Sequence, residues 1–247
     1  DKTVTITQNQ MSLKALYAFA NRGLYENGSG YDVNAETVIQ SAMWASEPVP
    51  FDPMEKALHK AYENSAAKDE RGEYTMTHEY PLDGVPPMMT HIFENKSGNR
   101  IIAAKGAPEA IIAVSRLTEA ESTAMLDQVT ALAEKGYRIL GVASSSFKGN
   151  NFPEKQQQLP FQLLGFVAFY DPPKPNIKSV FEQFYQAGIA VKIITGDNEV
   201  TTRAIAQQAG LENAGSSVNG AQLMQLTEAG MQEKLREINI FTRMFPE

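Results

Sequence analysis

The last third of the chain alternates apolar segments of two different periods, and this alternation limits the possible folds more than any other feature of the sequence. Leu163 to Tyr170 is a continuous apolar run, as expected of a strand covered on both faces. Ile177, Val180, Phe181 and Phe184 then recur at helical spacing, Gly188 ends that helix, and Val191 to Ile194 predicts another buried strand. Thr202 to Ala209 predicts the next helix. Strand, helix, strand and helix in this order call for a parallel sheet with right-handed crossovers, a doubly wound α/β architecture.

The preceding residues read differently. Thr3 to Thr7 alternates as Thr-Val-Thr-Ile-Thr, a short strand or extended hinge. Asn27 to Gly30 is a loop, after which Asn34 is a candidate cap for a helix burying Val38, Ala42 and Ala45. Asp52-Pro53-Met54-Glu55 combines a capping side chain, a proline at the first helical position and a Glu at the third, ahead of Leu58, Ala61 and Tyr62. Glu79 to Ala104 predicts strands, with Asn95 to Asn99 as a hairpin turn. Lys105 to Glu109 switches strand to helix, and a long helix from about Thr118 to Lys135 is stopped by Gly136. Tyr137 to Ser145 predicts a strand, and the polar stretch from Gly149 through Gln158 a connection, with a domain boundary soon after it.

Composition narrows the function classes. Among 247 residues, 22 basic and 29 acidic side chains give a net charge of −7, which disfavours a general nucleic-acid binder. The absence of cysteine excludes disulfides, thiolate metal sites and cysteine nucleophiles. His59, His78 and His91 offer no pair at i, i+3 or i+4 of one helix, so no metal centre is expected from them. The longest nearly apolar run, Phe161 to Tyr170, is about half the roughly 20 residues a membrane helix needs, and no basic-then-apolar leader opens the sequence; the chain is expected to be soluble.

Several short segments carry residue types suited to phosphate chemistry, each with a plainer reading beside it. Thr195, Gly196 and Asp197 follow a predicted buried strand, where such sheets deliver ligands. Thr195 suits a phosphate oxygen, Gly196 a close backbone approach, and Asp197 an ordered loop or a cation's water shell; a turn with an N-cap explains the same residues. Asp171-Pro172-Pro173-Lys174-Pro175 suits a stiff hinge or an ordinary turn. Asp1-Lys2-Thr3 sets a carboxylate nucleophile beside a cation and a hydroxyl, although a leading aspartate is ordinarily frayed and solvated. Lys105 and Gly106 could supply charge and room for a nucleotide, or simply turn a strand into a helix. Glu55 closes a capping box with Asp52 or reaches a ligand, and Arg138 is a phosphate ligand or a solvated strand residue.

Taken in order, these segments resemble the cytoplasmic catalytic part of P-type cation-transporting ATPases over essentially the whole chain. Asp1 to Thr7 is similar to the family's DKTGTLT phosphorylation motif, Asp52 to Leu58 to DPTExAL, Lys105 to Glu109 to KGAPE, Asp171 to Lys174 to DPPR, and Thr195 to Asp197 to TGD. The resemblance implies a partial haloacid-dehalogenase-like, doubly wound phosphorylation domain at residues 1–8 and 163–247. Residues 9–162 would be an inserted α+β nucleotide-binding domain, an antiparallel sheet with helices. It implies ATP and Mg²⁺, with Asp1 accepting the γ-phosphoryl group and Asp1 and the Thr3 carbonyl holding part of the metal. Lys2, Thr195, Gly196 and Asp197 would complete the phosphoryl site. Glu55, Tyr80, Leu82, Lys105, Gly106 and Arg138 would line the nucleotide site, with Asp171 and Arg243 contacting ATP or ADP from the other side.

Departures qualify the carry-over. Val4 replaces the glycine of the first motif, Leu82 the adenine-stacking phenylalanine, Pro87 a lysine and Lys174 an arginine; Tyr80 is a candidate substitute ring. The family's strand before Asp1 and its catalytic lysine and GDGxND motif, expected beyond Glu247, are not in the sequence. The chain therefore reads as a fragment from the cytoplasmic side of a membrane pump, with negligible turnover of its own. The rest of the pump, including its actuator domain and membrane helices, would be its partner, and the cation, calcium or a relative, would bind elsewhere. An independent soluble phosphatase with residues 9–162 as its cap, and a regulatory module with a decayed nucleotide site, are the rival readings.

Overall fold

A computed structural model describes residues 5–26, 30–66, 68–149 and 151–244. They divide into a larger unit, residues 11–129 and 139–169, and a smaller one made of residues 5–10, 130–138 and 170–244. The expected Asp1, Lys2, Thr3 and Val4 lie outside the described residues.

The elements from the start of the chain are β1 (Ser12–Ala18), β2 (Gly23–Glu26), α1 (Val33–Trp44), α2 (Pro53–Ser65), β3 (Tyr74–Asp83), β4 (Met88–Asn95) and β5 (Arg100–Gly106). They continue with α3 (Pro108–Val114), α4 (Glu119–Glu134), β6 (Arg138–Ser145) and β7 (Phe161–Tyr170). The seven strands form one sheet in the order β2-β1-β7-β6-β5-β4-β3. The pairs β1/β2, β3/β4, β4/β5 and β5/β6 are antiparallel. Local chemistry sets the β4/β5 turn, where Asn95 Oδ1 accepts from the backbone N–H groups of Ser97 (3.0 Å) and Asn99 (2.9 Å).

Asp52 caps α2 as its motif predicts, its Oδ1 accepting from Met54 N at 2.8 Å and Glu55 N at 3.3 Å. The cap of α1 is Asp32 rather than Asn34: Asp32 has the extended backbone of a cap and accepts from Asn34 N and Ala35 N, so Asn34 is already inside the helix. Both helices bury apolar faces in one core, where Val38, Ile39, Leu58 and Tyr62 meet Leu16, Phe93, Val167 and Phe169. Trp44 packs in that core with its ring 4.8 Å from Phe93.

The placement of β7 differs from the expected one. Its apolar run puts it in the larger sheet between β1 and β6, not in a parallel sheet with the segments after it. The reason is physical: an apolar run reports that both faces are covered, and Phe166 to Phe169 are indeed fully buried, but it says nothing about the partners of its edges. Those edges are set by backbone bonds such as Phe19 N to Leu164 O at 2.8 Å. At Gly165 the approach is so close that an added Cβ would lie 1.9 Å from the Tyr17 carbonyl oxygen.

The smaller unit holds α5 (Ile177–Gln186), β8 (Ile193–Ile194), α6 (Glu199–Gln208), β9 (Val218–Asn219), α7 (Gly220–Met224), α8 (Glu228–Glu237) and β10 (Ile240–Thr242). β8 and β9 pair in parallel on either side of β10, with helices between these strands along the chain. The strand expected over Val191 to Ile194 is shorter. Ile193 is buried while Ile194 is 54% exposed, and Lys192 turns aside to donate to the Ile238 carbonyl and Asn239 Oδ1. Ile6 joins Ile177, Phe181, Ile193 and Ile240 in this unit's core. No helix among the described residues is long and apolar enough to cross a membrane.

Candidate functional site

In the larger unit, the motifs at α2 and β5 converge on one buried ion pair. Because Asp52 satisfies the first backbone N–H groups of α2, the Glu55 carboxylate is not needed for capping and turns inward. Lys105 Nζ donates to Glu55 Oε1 at 2.6 Å, to the Ala45 carbonyl at 2.7 Å and to Ser46 Oγ at 3.0 Å. These acceptors engage all three ammonium protons. Lys105 and Glu55 are 5% and 7% exposed. Burial lowers the Lys105 pKa, with Glu55 pulling the other way. Glu55 Oε2 is buried and has no hydrogen-bond partner.

The other residues expected around this site divide. Tyr80 is buried, and its hydroxyl donates to the Pro153 carbonyl at 2.5 Å. Leu82 is 63% exposed, on a stretch of β3 where the pairing register with β4 shifts between Tyr80 and Asp83. Gly106 is glycine for packing: an added Cβ would lie 2.5 Å from Met88 Cα and 2.6 Å from the Pro87 carbonyl oxygen. That same carbonyl accepts from Ala107 N at 2.9 Å.

Arg138 belongs to the smaller unit. Its guanidinium lies 3.8 Å from Asp197 Oδ1, within the smaller unit. There the backbone brings together Thr195, Asp197 and Arg243. Thr195 N donates to the Phe241 carbonyl, Arg243 N to the Asp197 carbonyl at 3.1 Å, and Met244 N to the Thr195 carbonyl. Thr195 Oγ1 accepts from Asp197 N at 3.2 Å, and the cap of α6 is Asn198, which accepts from Thr201 N. Gly196 is exposed, and an added Cβ would meet only the Met244 carbonyl oxygen, at 3.6 Å. Asp171, 7% exposed, accepts from Thr7 Oγ1 at 2.6 Å and from Gln10 N at 2.9 Å, so its carboxylate ties residues 7–10 to the start of the Asp171 motif. Arg138→Ala is expected to change stability by less than about 1 kcal/mol, as a pair 3.8 Å apart whose arginine is 43% exposed contributes little; urea denaturation measures it.

This arrangement can be set beside known proteins. Residues 49–176, just over half of the chain, match the family model described as P-type ATPase, cytoplasmic domain N. The chain belongs to the P-type ATPase family. It is similar to the calcium-transporting ATPase of Bacillus subtilis, with 26% identity over all of this chain and 32% of the relative. Similarity to calcium-transporting ATPase 1 of Saccharomyces cerevisiae is 25% over all of the chain and 30% of that protein. With the probable cation-transporting ATPase I of Mycobacterium leprae the identity is 33%, over 58% of the chain and 10% of the relative. The chain thus spans about a third or less of the length of these curated relatives.

For this family member the sequence motifs located Glu55 and Lys105 but not the residues that hold them. Ser46 and Ala45 sit in an unremarkable turn. Gln156, expected in a polar connection, is 3% exposed and joins separate strands: its Oε1 accepts from Thr90 Oγ1 at 2.8 Å, and its Nε2 donates to the Met88 carbonyl at 2.9 Å and the Pro81 carbonyl at 3.4 Å. Composition marks a glutamine tract as solvated, and only the long-range partners make one of the three a core residue.

Proposed function

We propose that this chain is the nucleotide-binding and phosphoacceptor-bearing part of an ATP-driven cation pump. The larger unit binds ATP or ADP at Lys105 and Glu55, beside Leu82. The smaller unit, of haloacid-dehalogenase-like type, carries Thr195, Gly196 and Asp197 for the phosphoryl group transferred to Asp1. Asp171, Arg138 and Arg243 serve the nucleotide from that unit. The rest of the pump, with its actuator domain and membrane helices, is the partner that would move calcium or a related cation. Mg²⁺ would offset phosphate charge; Asp1 and Thr3, its expected ligands, lie outside the described residues.

The observation that carries the nucleotide assignment is the orphaned Glu55 Oε2. A buried carboxylate oxygen without a partner costs stability unless a donor reaches it. An exocyclic amino group such as adenine's supplies that donor, on the side of Glu55 that Lys105 does not use. Leu82, the residue at the position of the family's stacking phenylalanine, is 63% exposed and so open to a base. Calorimetric titration with ATP should show saturable binding, and Leu82→Phe should tighten it by up to roughly tenfold, the worth of an aromatic stack of about 0.5–1.5 kcal/mol.

The full engagement of the Lys105 ammonium inside the protein favours a second reading, a regulatory or interaction module whose nucleotide site no longer works. Absence of ATP binding in both the folded parent chain and Leu82→Phe would decide for it.

A further inference from the structure

Next to the Lys105 pair, Glu79 on β3 stands directly opposite His91 on β4. Glu47, in the turn after α1, reaches the same place, and one potential ligand atom from each of the three lies within 4.8 Å of the others. His91 is fully buried, its Nδ1 is 3.2 Å from the Ser46 carbonyl oxygen, and its Nε2 is buried without a hydrogen-bond partner. A carbonyl oxygen can only accept, so this bond assigns the ring proton to Nδ1 and leaves a bare lone pair on Nε2. That lone pair faces Glu79 Oε1 at 4.0 Å. A buried lone pair and a carboxylate oxygen turned towards each other favour a positive centre between them.

We propose that Glu47, Glu79 and His91 form a binding site for a divalent first-row transition ion, with Zn²⁺ the best-suited occupant. One imidazole nitrogen and two carboxylates are a zinc donor set, with water in the remaining position. A single nitrogen ligand argues against Mg²⁺ and Ca²⁺, which take oxygen ligands. The Nδ1–H bond to the Ser46 carbonyl is the outer contact that metal-bound histidines usually make, and it aims Nε2 at the ion. Ligand distances of about 2.0–2.2 Å require the carboxylates to close in by roughly an ångström. The Glu79 side chain, 42% exposed, is free to do so and leaves an entry path. The ion would also fix the turn at residues 45–47, whose Ala45 carbonyl and Ser46 hydroxyl hold Lys105. The site stands whether or not the chain binds nucleotide.

The test is a calorimetric titration of the whole chain with ZnCl₂ after chelator treatment, in the absence of nucleotide. One saturable site of micromolar or tighter affinity is expected, unaffected by millimolar Mg²⁺ and weakened at least tenfold in Glu79→Gln and in Glu47→Gln. Both variants leave the buried ring in place. The His91 Nε2 resonance should move when Zn²⁺ is added to the parent chain. No saturable binding, binding as tight as the parent's in either variant, or an unmoved Nε2 signal at saturation would each overturn the site.

Discussion

Lys105→Met is expected to lower the stability of the larger unit by about 3–5 kcal/mol, the usual cost of removing one partner of a buried ion pair. The loss comes less from the attraction forfeited than from what is left behind. Glu55 would be left at 7% exposure with neither carboxylate oxygen paired, and the Ala45 carbonyl and Ser46 hydroxyl would lose their donor. Trp44 is the sole tryptophan of the chain and lies in this unit's core, so its fluorescence during urea denaturation reports the change directly. The double variant Lys105→Met with Glu55→Leu should recover most of the loss, because two apolar side chains of similar volume need no counter-charge. A single variant within about 1 kcal/mol of the parent would show that the pair is not desolvated as described.

Gly165→Ala should be comparably damaging, about 3 kcal/mol or more, at a position with no charge or ligand role. The methyl would fall 1.9 Å from the Tyr17 carbonyl oxygen, and backbone cannot swing aside as a side chain can. β1 and β7 would have to separate, at the centre of the core built on Leu16, Val167 and Phe169. Gly196→Ala is the control: its methyl would meet one carbonyl oxygen at 3.6 Å, an ordinary contact, so it should unfold at nearly the parent's urea concentration. Equal midpoints for the two variants would refute the close approach at Gly165.

The contrast between these glycines shows what a sequence can and cannot carry. Gly196 stands in a motif and attracts attention, while Gly165 sits inside an apolar run and attracts none; only the distance to a strand nearly 150 residues earlier separates them. Features set by neighbours in the chain were legible, including the Asp52 start of α2, the Asn95 turn and α4, whose observed span is Glu119–Glu134. Features set by distant partners were not. The apolar run of β7 could not name β1 and β6 as its neighbours, and the turn holding Lys105 carries no mark of its role. Helical spacing between histidines says nothing of His91, whose neighbours Glu79 and Glu47 come from the opposite strand and a turn.

The buried side chain of Gln156 has a consequence for isosteres. One atom of its amide accepts from Thr90 while the other donates to the carbonyls of Met88 and Pro81, so the site demands both polarities at once. Glutamate matches the shape of glutamine almost atom for atom, yet it would set a second oxygen against two carbonyl oxygens. A residue embedded in a run of three glutamines is therefore held by the polarity of its amide as much as by its shape, and the substitution that alters its outline least is one the site rejects.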